Sequence, residues 1–371
     1  MGLENFAEIT WAMAAQVIVL GFIGGVLSGF IGSGGAFFMT PGMMNLGVLG
    51  PVAVASNITH KFGKAMIGSR RHADLGNVDK KLSLFMLITA AIGIRIAVTV
   101  MEFFFEKGDE YSTTRGAGAD LYISVIFVVI LSVVSIAMLR DIIKSRKNSE
   151  KGPSTKIVNF LNRIKLHPMV YFPVADVRVS LWVILIGGLA TGYLAGTIGV
   201  GGFVGVPVMI YVFGVSATVA AGSELYLAMF MGAFGAINYA LVGLVDIRLT
   251  LLLFTGSLFG IFIGAYGTKV VNEIVIRLVT ALIILLCVIS RLIAIPAYLQ
   301  ELGYIGISPA HNELFNLASK FLLYLSGITG VFIILLYVFK AYFQRRKIQA
   351  SLITDIPQIA VREFSGKALK F

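Results

Sequence analysis

The sequence is poor in charge and nearly without cysteine. Of its 371 residues only 13% are Asp, Glu, Lys or Arg, about half the share found in a soluble domain. A chain that is 57% hydrophobic, with a mean hydropathy of +0.90, lacks the polar surface that a protein of this length needs in water, which weighs against a soluble enzyme. The single cysteine, Cys287, excludes an intrachain disulfide and a cysteine-based metal cluster. His60, His72, His167 and His311 are scattered, with no His-x-x-x-His pair. There is no Gly-x-x-x-x-Gly-Lys phosphate loop to run on ATP, and no nucleophile–base spacing. Neither an enzyme, nor a cofactor, nor a metal site is expected.

Long apolar runs are what the sequence does hold. A helix needs about 20 apolar residues to cross roughly 30 Å of hydrocarbon. Runs of that kind lie at 11–31, 52–69, 82–100, 120–139, 178–198, 217–242, 249–271, 274–296 and 318–341. Two shorter runs, 36–49 and 203–214, each follow a glycine-rich break. As helices they are only about 21 and 18 Å long, too short to cross unless the break itself lies inside the membrane.

The net charge of +11 collects in few places, which argues against nucleic acid and for a marked cytoplasmic side. Residues 70–81, 140–177 and 342–371 hold 18 of the 30 basic residues. The opposite ends, 1–10, 101–120, 243–248 and 297–317, hold only Lys107, Arg115 and Arg248 as basic residues. Eleven crossings with the N-terminus outside put all three basic stretches in the cytoplasm. Residues 1–10 carry no Lys or Arg, so 11–31 reads as a permanent span rather than a cleaved signal. In the loop 140–177, Ile157, Val158, Leu161 and Ile164 line one face of a helix from Ser154. That stretch is either a short amphipathic helix on anionic lipid or a solvated basic linker.

The chain resembles itself at an offset of 167 residues. Gly25–Gly35 falls on Gly192–Gly202 with seven of eleven positions identical. Pro41 and Pro207 follow with a one-residue slip, and Gly47/Gly214, Ala53/Ala220 and Ser56/Ser223 restore the register. Gly76-Asn-Val-Asp79 falls on Gly243-Leu-Val-Asp246. The first unit holds five crossings, an odd number, so the second inserts upside down. The expected fold is therefore an all-α polytopic membrane protein of two inverted five-segment repeats. Short broken helices follow the glycine-rich breaks, and one extra helix ends the body. The divisions are 1–139 and 178–296 for the repeats, 140–177 for a cytoplasmic linker, 297–341 for an outer loop and the extra helix, and 342–371 for a basic tail. Inverted repeats around a midplane site suit alternating access.

Gly32-Ser-Gly-Gly35 and Gly199-Val-Gly-Gly202 end one helix and begin another, leaving N–H groups uncovered at a helix start that carries roughly half a positive charge. Ser33, Gly34, Gly35, Gly201 and Gly202 are the candidate lining of an anion site. Gly25, Gly29, Gly192 and Gly196 fit the spacing of close helix packing. After the first break, Ser56, His60 and Lys64 sit at i, i+4 and i+8 on one helical face, with Asn57 and Lys61 beside them. Asn57 and His60 are candidate ligands, whereas Lys64 reads as snorkelling to the surface. Ser223, a further candidate ligand, and Glu224 stand at the matching place in the second unit. Glu224 is expected to carry a coupled proton or to pair with the other deep charge, Arg95. Asn238 and Tyr239 are weaker candidates, and Arg291 reads as an interfacial anchor.

The doubled Gly-x-x-Gly-x-Gly-Gly motif, Gly29–Gly35 with Pro41 and Gly196–Gly202 with Pro207, each leading to a Gly-x-Val-Asp turn, resembles the TauE/SafE sulfite-exporter family of anion permeases over roughly 11–296. The resemblance implies an inner-membrane, multi-pass protein that moves sulfite or a small organosulfonate such as sulfoacetate, some members being assigned to other anions or carboxylates. The expected activity is secondary transport of a small oxyanion by alternating access. A passive anion channel and a carboxylate transporter are the alternatives. The expected partners are the small anion and membrane lipid.

Overall fold

The structure is a computed structural model, and it describes residues 6–31, 35–111, 116–148, 166–199, 202–271 and 273–367. Among them run eleven helices: α1 (Trp11–Ile31), α2 (Ala36–Met44), α3 (Gly50–Asp74), α4 (Lys80–Tyr111), α5 (Ala117–Asn148), α6 (Leu181–Ile198), α7 (Gly202–Pro207, continued by a π-turn over Val208–Val212), α8 (Ala217–Leu241), α9 (Ile247–Val270), α10 (Glu273–Glu301) and α11 (Pro309–Lys367). Each of the eleven expected runs holds a helix. Eight of these helices are long and apolar enough to span a bilayer, so this is a multi-pass membrane protein.

Of the eleven expected crossings, eight meet the length and apolarity of a span by themselves. α2 and α7 are too short. α3 has 25 residues, enough to span, but its buried face carries Ser56, Asn57, His60 and Lys61, and it fails on composition. α11 extends the expected run 318–341 to 59 residues. The possible amphipathic helix over 154–165 lies outside the described residues. The linker region holds one non-helical element that the sequence did not announce, a hairpin of β1 (Met169–Phe172) and β2 (Val177–Ser180) paired antiparallel from Met169↔Ser180 to Phe172↔Val177.

Helix ends follow local chemistry. Pro51 opens α3, where its missing N–H costs nothing. The Asp246 side chain caps α9 by accepting from the Arg248 and Leu249 amides. Gly76 and Gly243, at matching places of the two Gly-x-Val-Asp turns, take φ of +71° and +73°, where a Cβ is strained.

The helices pack in reciprocal pairs. α1 lies on α9 and α4 on α6, α3 lies on α8, and α5 on α10. A Cβ at Gly25 would stand 2.6 Å from the Ser257 carbonyl oxygen, and one at Gly192 would collide with the Ala90 backbone. Ser257 and Ala90 are themselves 167 residues apart. The small residues therefore let α1 and α9, and α6 and α4, touch backbone to backbone.

The Gly-x-Val-Asp turns are pinned the same way. The Ser223 hydroxyl accepts the Asp79 amide at 2.8 Å, and the Ser223 carbonyl accepts the Ser83 hydroxyl at 2.8 Å. Reciprocally, Ser56 Oγ bonds the Asp246 amide and carbonyl at 3.3 Å, and the Ser56 carbonyl accepts the Thr250 hydroxyl at 3.3 Å. Asp79 adds a tie that Asp246 lacks: its Oδ2 accepts the Val174 and Ala175 amides of the hairpin loop at 3.1 and 3.0 Å.

Candidate functional site

α3 is the most polar of the enclosed helices, and its side chains reach partners on four others. Asn57 is wholly buried and donates to Thr40 Oγ1 of α2 at 2.8 Å; Thr40 in turn donates to the Ile198 carbonyl at the end of α6 at 3.2 Å. Asn57 thus lies against the second break, where Gly199 turns with φ +73° and caps α6. The adjacent carbonyl of Gly196 accepts the Tyr239 hydroxyl at 2.6 Å. His60 shares a 2.7 Å hydrogen bond with Ser257 of α9 and stands edge-on to Phe254. The Ser257 hydroxyl also lies 3.1 Å from the Phe254 carbonyl.

Two cations of α3 turn inward too, Lys61 buried and Lys64 half-buried. Lys61 Nζ lies 3.4 Å from Glu224 Oε1 of α8, with both residues buried. Glu224 Oε2 is buried and has no hydrogen-bond partner among the described residues. Glu224 packs against Gly205 of α7, where a Cβ would meet Glu224 Cγ at 3.1 Å. Lys64 Nζ bonds Ser28 Oγ of α1, one turn before the first break. Lys64 therefore bends inward instead of snorkelling, because a hydroxyl inside the bundle meets its ammonium.

These placements revise several expectations. Glu224 pairs with Lys61, while Arg95 donates to Asn238 Oδ1 at 3.2 Å. The direct Glu224–Arg95 pair is not formed, since each has a nearer polar partner. Ser223 is brought to the Asp79 turn, where its hydroxyl is engaged. Gly35 and Gly202 are buried at the two breaks, and Gly35 accepts the Phe38 amide at 3.0 Å as α2 begins. Ser33, Gly34 and Gly201 lie outside the described residues. Arg291 is no surface anchor but a fully buried side chain. It donates to Asn45 Oδ1 after α2, to Ser319 Oγ of α11 at 3.1 Å and to Tyr298 Oη at 3.3 Å. It ties the extra helix α11 to the end of α2.

Sequence reasoning left Lys61, Lys64, Ser28, Thr40 and Ser257 off the candidate site. The available signal was spacing. Lys61 follows Asn57, and Lys64 follows His60, by four residues, so each shares a helical face with a candidate already chosen. Ser28 and Ser257 carry no such signal. Among the described residues no group of His, Cys, Asp and Glu is placed to hold a metal ion.

A charged helix packed among apolar spans defines a polytopic membrane protein with a polar interior. The family described as Sulfite exporter TauE/SafE matches residues 17–291. The chain belongs to this family, and is a membrane transporter rather than an enzyme. It is 23% identical over 257 residues to the probable membrane transporter protein YjnA of Bacillus subtilis (strain 168), covering 68% of this chain and 90% of that protein. It is 24% identical over 266 residues to the probable membrane transporter protein YdhB of the same organism, covering 70% and 93%. No solved structure matches it.

Proposed function

We propose that the protein moves a small oxyanion, sulfite or an organosulfonate, by alternating access at a site between two inverted repeats. The observation that carries this reading is the polar α3 face, where buried Lys61 and half-buried Lys64 bring two positive charges and Glu224 one negative charge. Buried charge in a membrane protein is costly and marks a solute path, and an excess of cations suits an anion. The family's description as sulfite exporters narrows the anion to sulfur oxyanions.

In this reading Asn57 and His60 orient the anion. Peptide amides of Ser33, Gly34, Gly35, Gly201 and Gly202 complete its shell near the midplane. α2, with nine residues, contributes a helix dipole; α7, with six, contributes less, so the lysines carry more of the attraction than the breaks do. Ser223 holds the turn rather than the ligand. The reciprocal pairs α1·α9 and α6·α4, and the reciprocal Ser–Asp locks, support two halves related by a pseudo-twofold. An odd number of crossings makes that relation an inversion, with the N-terminus outside and the basic tail in the cytoplasm of an inner membrane. An inside-negative potential of 100 mV then favours exit of each net negative charge by about 2.3 kcal/mol, a drive for export without another energy source.

Reconstituted in liposomes, the protein should release sulfite at a rate that saturates with concentration and rises when sulfite is added to the opposite side. A linear rate with no counter-transport would assign a passive channel instead. Saturable flux of a small carboxylate with none of sulfite or sulfonates would move the substrate to the carboxylates.

A further inference from the structure

We infer that Lys64 is the fixed counter-charge of the transported anion, and that Glu224 releases Lys61 and takes up a proton when that anion carries two charges. This rests on the anion-transport reading above. Three charged groups meet inside the bundle. Lys61 is 3.4 Å from Glu224 Oε1, whereas among the described residues Lys64 has the neutral hydroxyl of Ser28 as its hydrogen-bond partner. With His60 uncharged, the cluster carries one uncompensated positive charge. A buried charge needs a partner, and a monoanion supplies one without further change.

A dianion overshoots by one charge. Adding a proton to Glu224 restores neutrality, and the carboxylate has a place for it: Oε2 is buried and has no hydrogen-bond partner among the described residues. Protonation turns Glu224 into a neutral acid, weakens its hold on Lys61 and frees that ammonium for the second anionic oxygen. The proton enters from the aqueous side together with the anion and leaves with it, so the loaded carrier has the same charge with either substrate class.

The other groups around Glu224 do not duplicate this role. From α6 and α7 it meets Thr191, across Gly205, and Gly205 itself. His72 packs at Gly222, two residues earlier on α8. Asp79 lies at Ser223 with its carboxylate held by the Leu82, Val174 and Ala175 amides. Arg95 of α4 is engaged by Asn238, far along α8.

Binding to the purified full chain in detergent tests the inference, with methanesulfonate as monoanion and sulfate as dianion between about pH 6 and 8. Wild-type affinity for sulfate should fall about tenfold per pH unit as pH rises, as one coupled proton requires, and affinity for methanesulfonate should stay flat. Glu224→Gln should abolish the slope and raise the preference for sulfate over methanesulfonate at least ~10-fold, since the cluster then carries two positive charges. Lys64→Met should weaken both anions by more than ~10-fold while Lys64→Arg retains them, which separates loss of charge from loss of fold. A sulfate slope that survives in Glu224→Gln, or a Lys64→Met variant that binds like wild type, overturns the inference and leaves anion transport standing. Wild-type protein that binds neither anion overturns both.

Discussion

Ser223→Ala removes the hydroxyl that accepts the Asp79 amide, and Ser56→Ala removes its counterpart at Asp246. Each leaves a buried peptide N–H without its acceptor, a loss of about 1–3 kcal/mol. Thermal unfolding in detergent should show both variants destabilised, Ser223→Ala more strongly, because its bond is shorter and the Asp79 turn also carries the hairpin. Equal stability to wild type in both would mean that water replaces the hydroxyls. These serines were legible in the sequence as matching positions, but their task was not. Ser56 meets Asp246 across 190 residues, a separation that no local pattern reports. The same limit hid the Lys61–Glu224 pair, 163 residues apart, and made Arg291 look like an anchor when Asn45 and Ser319 converge on it.

At the scale of elements, α3 carries the enclosed polar face, which the proposed function uses, and the small-residue helices carry the packing. α3 was visible as a span with polar residues at helical spacing, and that spacing set Asn57 and His60 on the face that the structure encloses. Which helices enclose it follows from tertiary packing alone. The β1–β2 hairpin escaped notice because four-residue strands inside a basic, proline-flanked stretch leave no periodicity to read. In α6, Gly192 lies where a side chain meets the Ala90 backbone. Gly192→Val should drive α6 from α4 and cost at least 1–3 kcal/mol, read as a lowered melting temperature and reduced yield of monodisperse protein. Valine tolerated there with wild-type stability would show that the α4–α6 contact is looser than described.

Across the whole molecule, backbone reciprocity coexists with side-chain asymmetry. The turns, the glycine contacts and the helix pairs repeat at an offset of 167 residues, yet the positions matching His60, Lys61 and Lys64 are Leu227, Ala228 and Met231. From the second half, Glu224 answers Lys61 and Ser257 answers His60. The proposed alternating access uses both: a reciprocal frame that rocks between two tilts and one polar face that serves as a single site in each. The sequence revealed the repeat through its glycines and prolines, and concealed the asymmetry's meaning until α3 and α8 were seen to touch.

The central claim is that one anion site opens to each side in turn. Ser28, buried beside Lys64, is the place to probe it. With Cys287 replaced by Ala, Ser28→Cys should react with a small anionic thiol reagent added to either face of sealed vesicles, and sulfite should slow the reaction from both faces. Reaction from one face only, or a rate that sulfite leaves unchanged, would contradict the account.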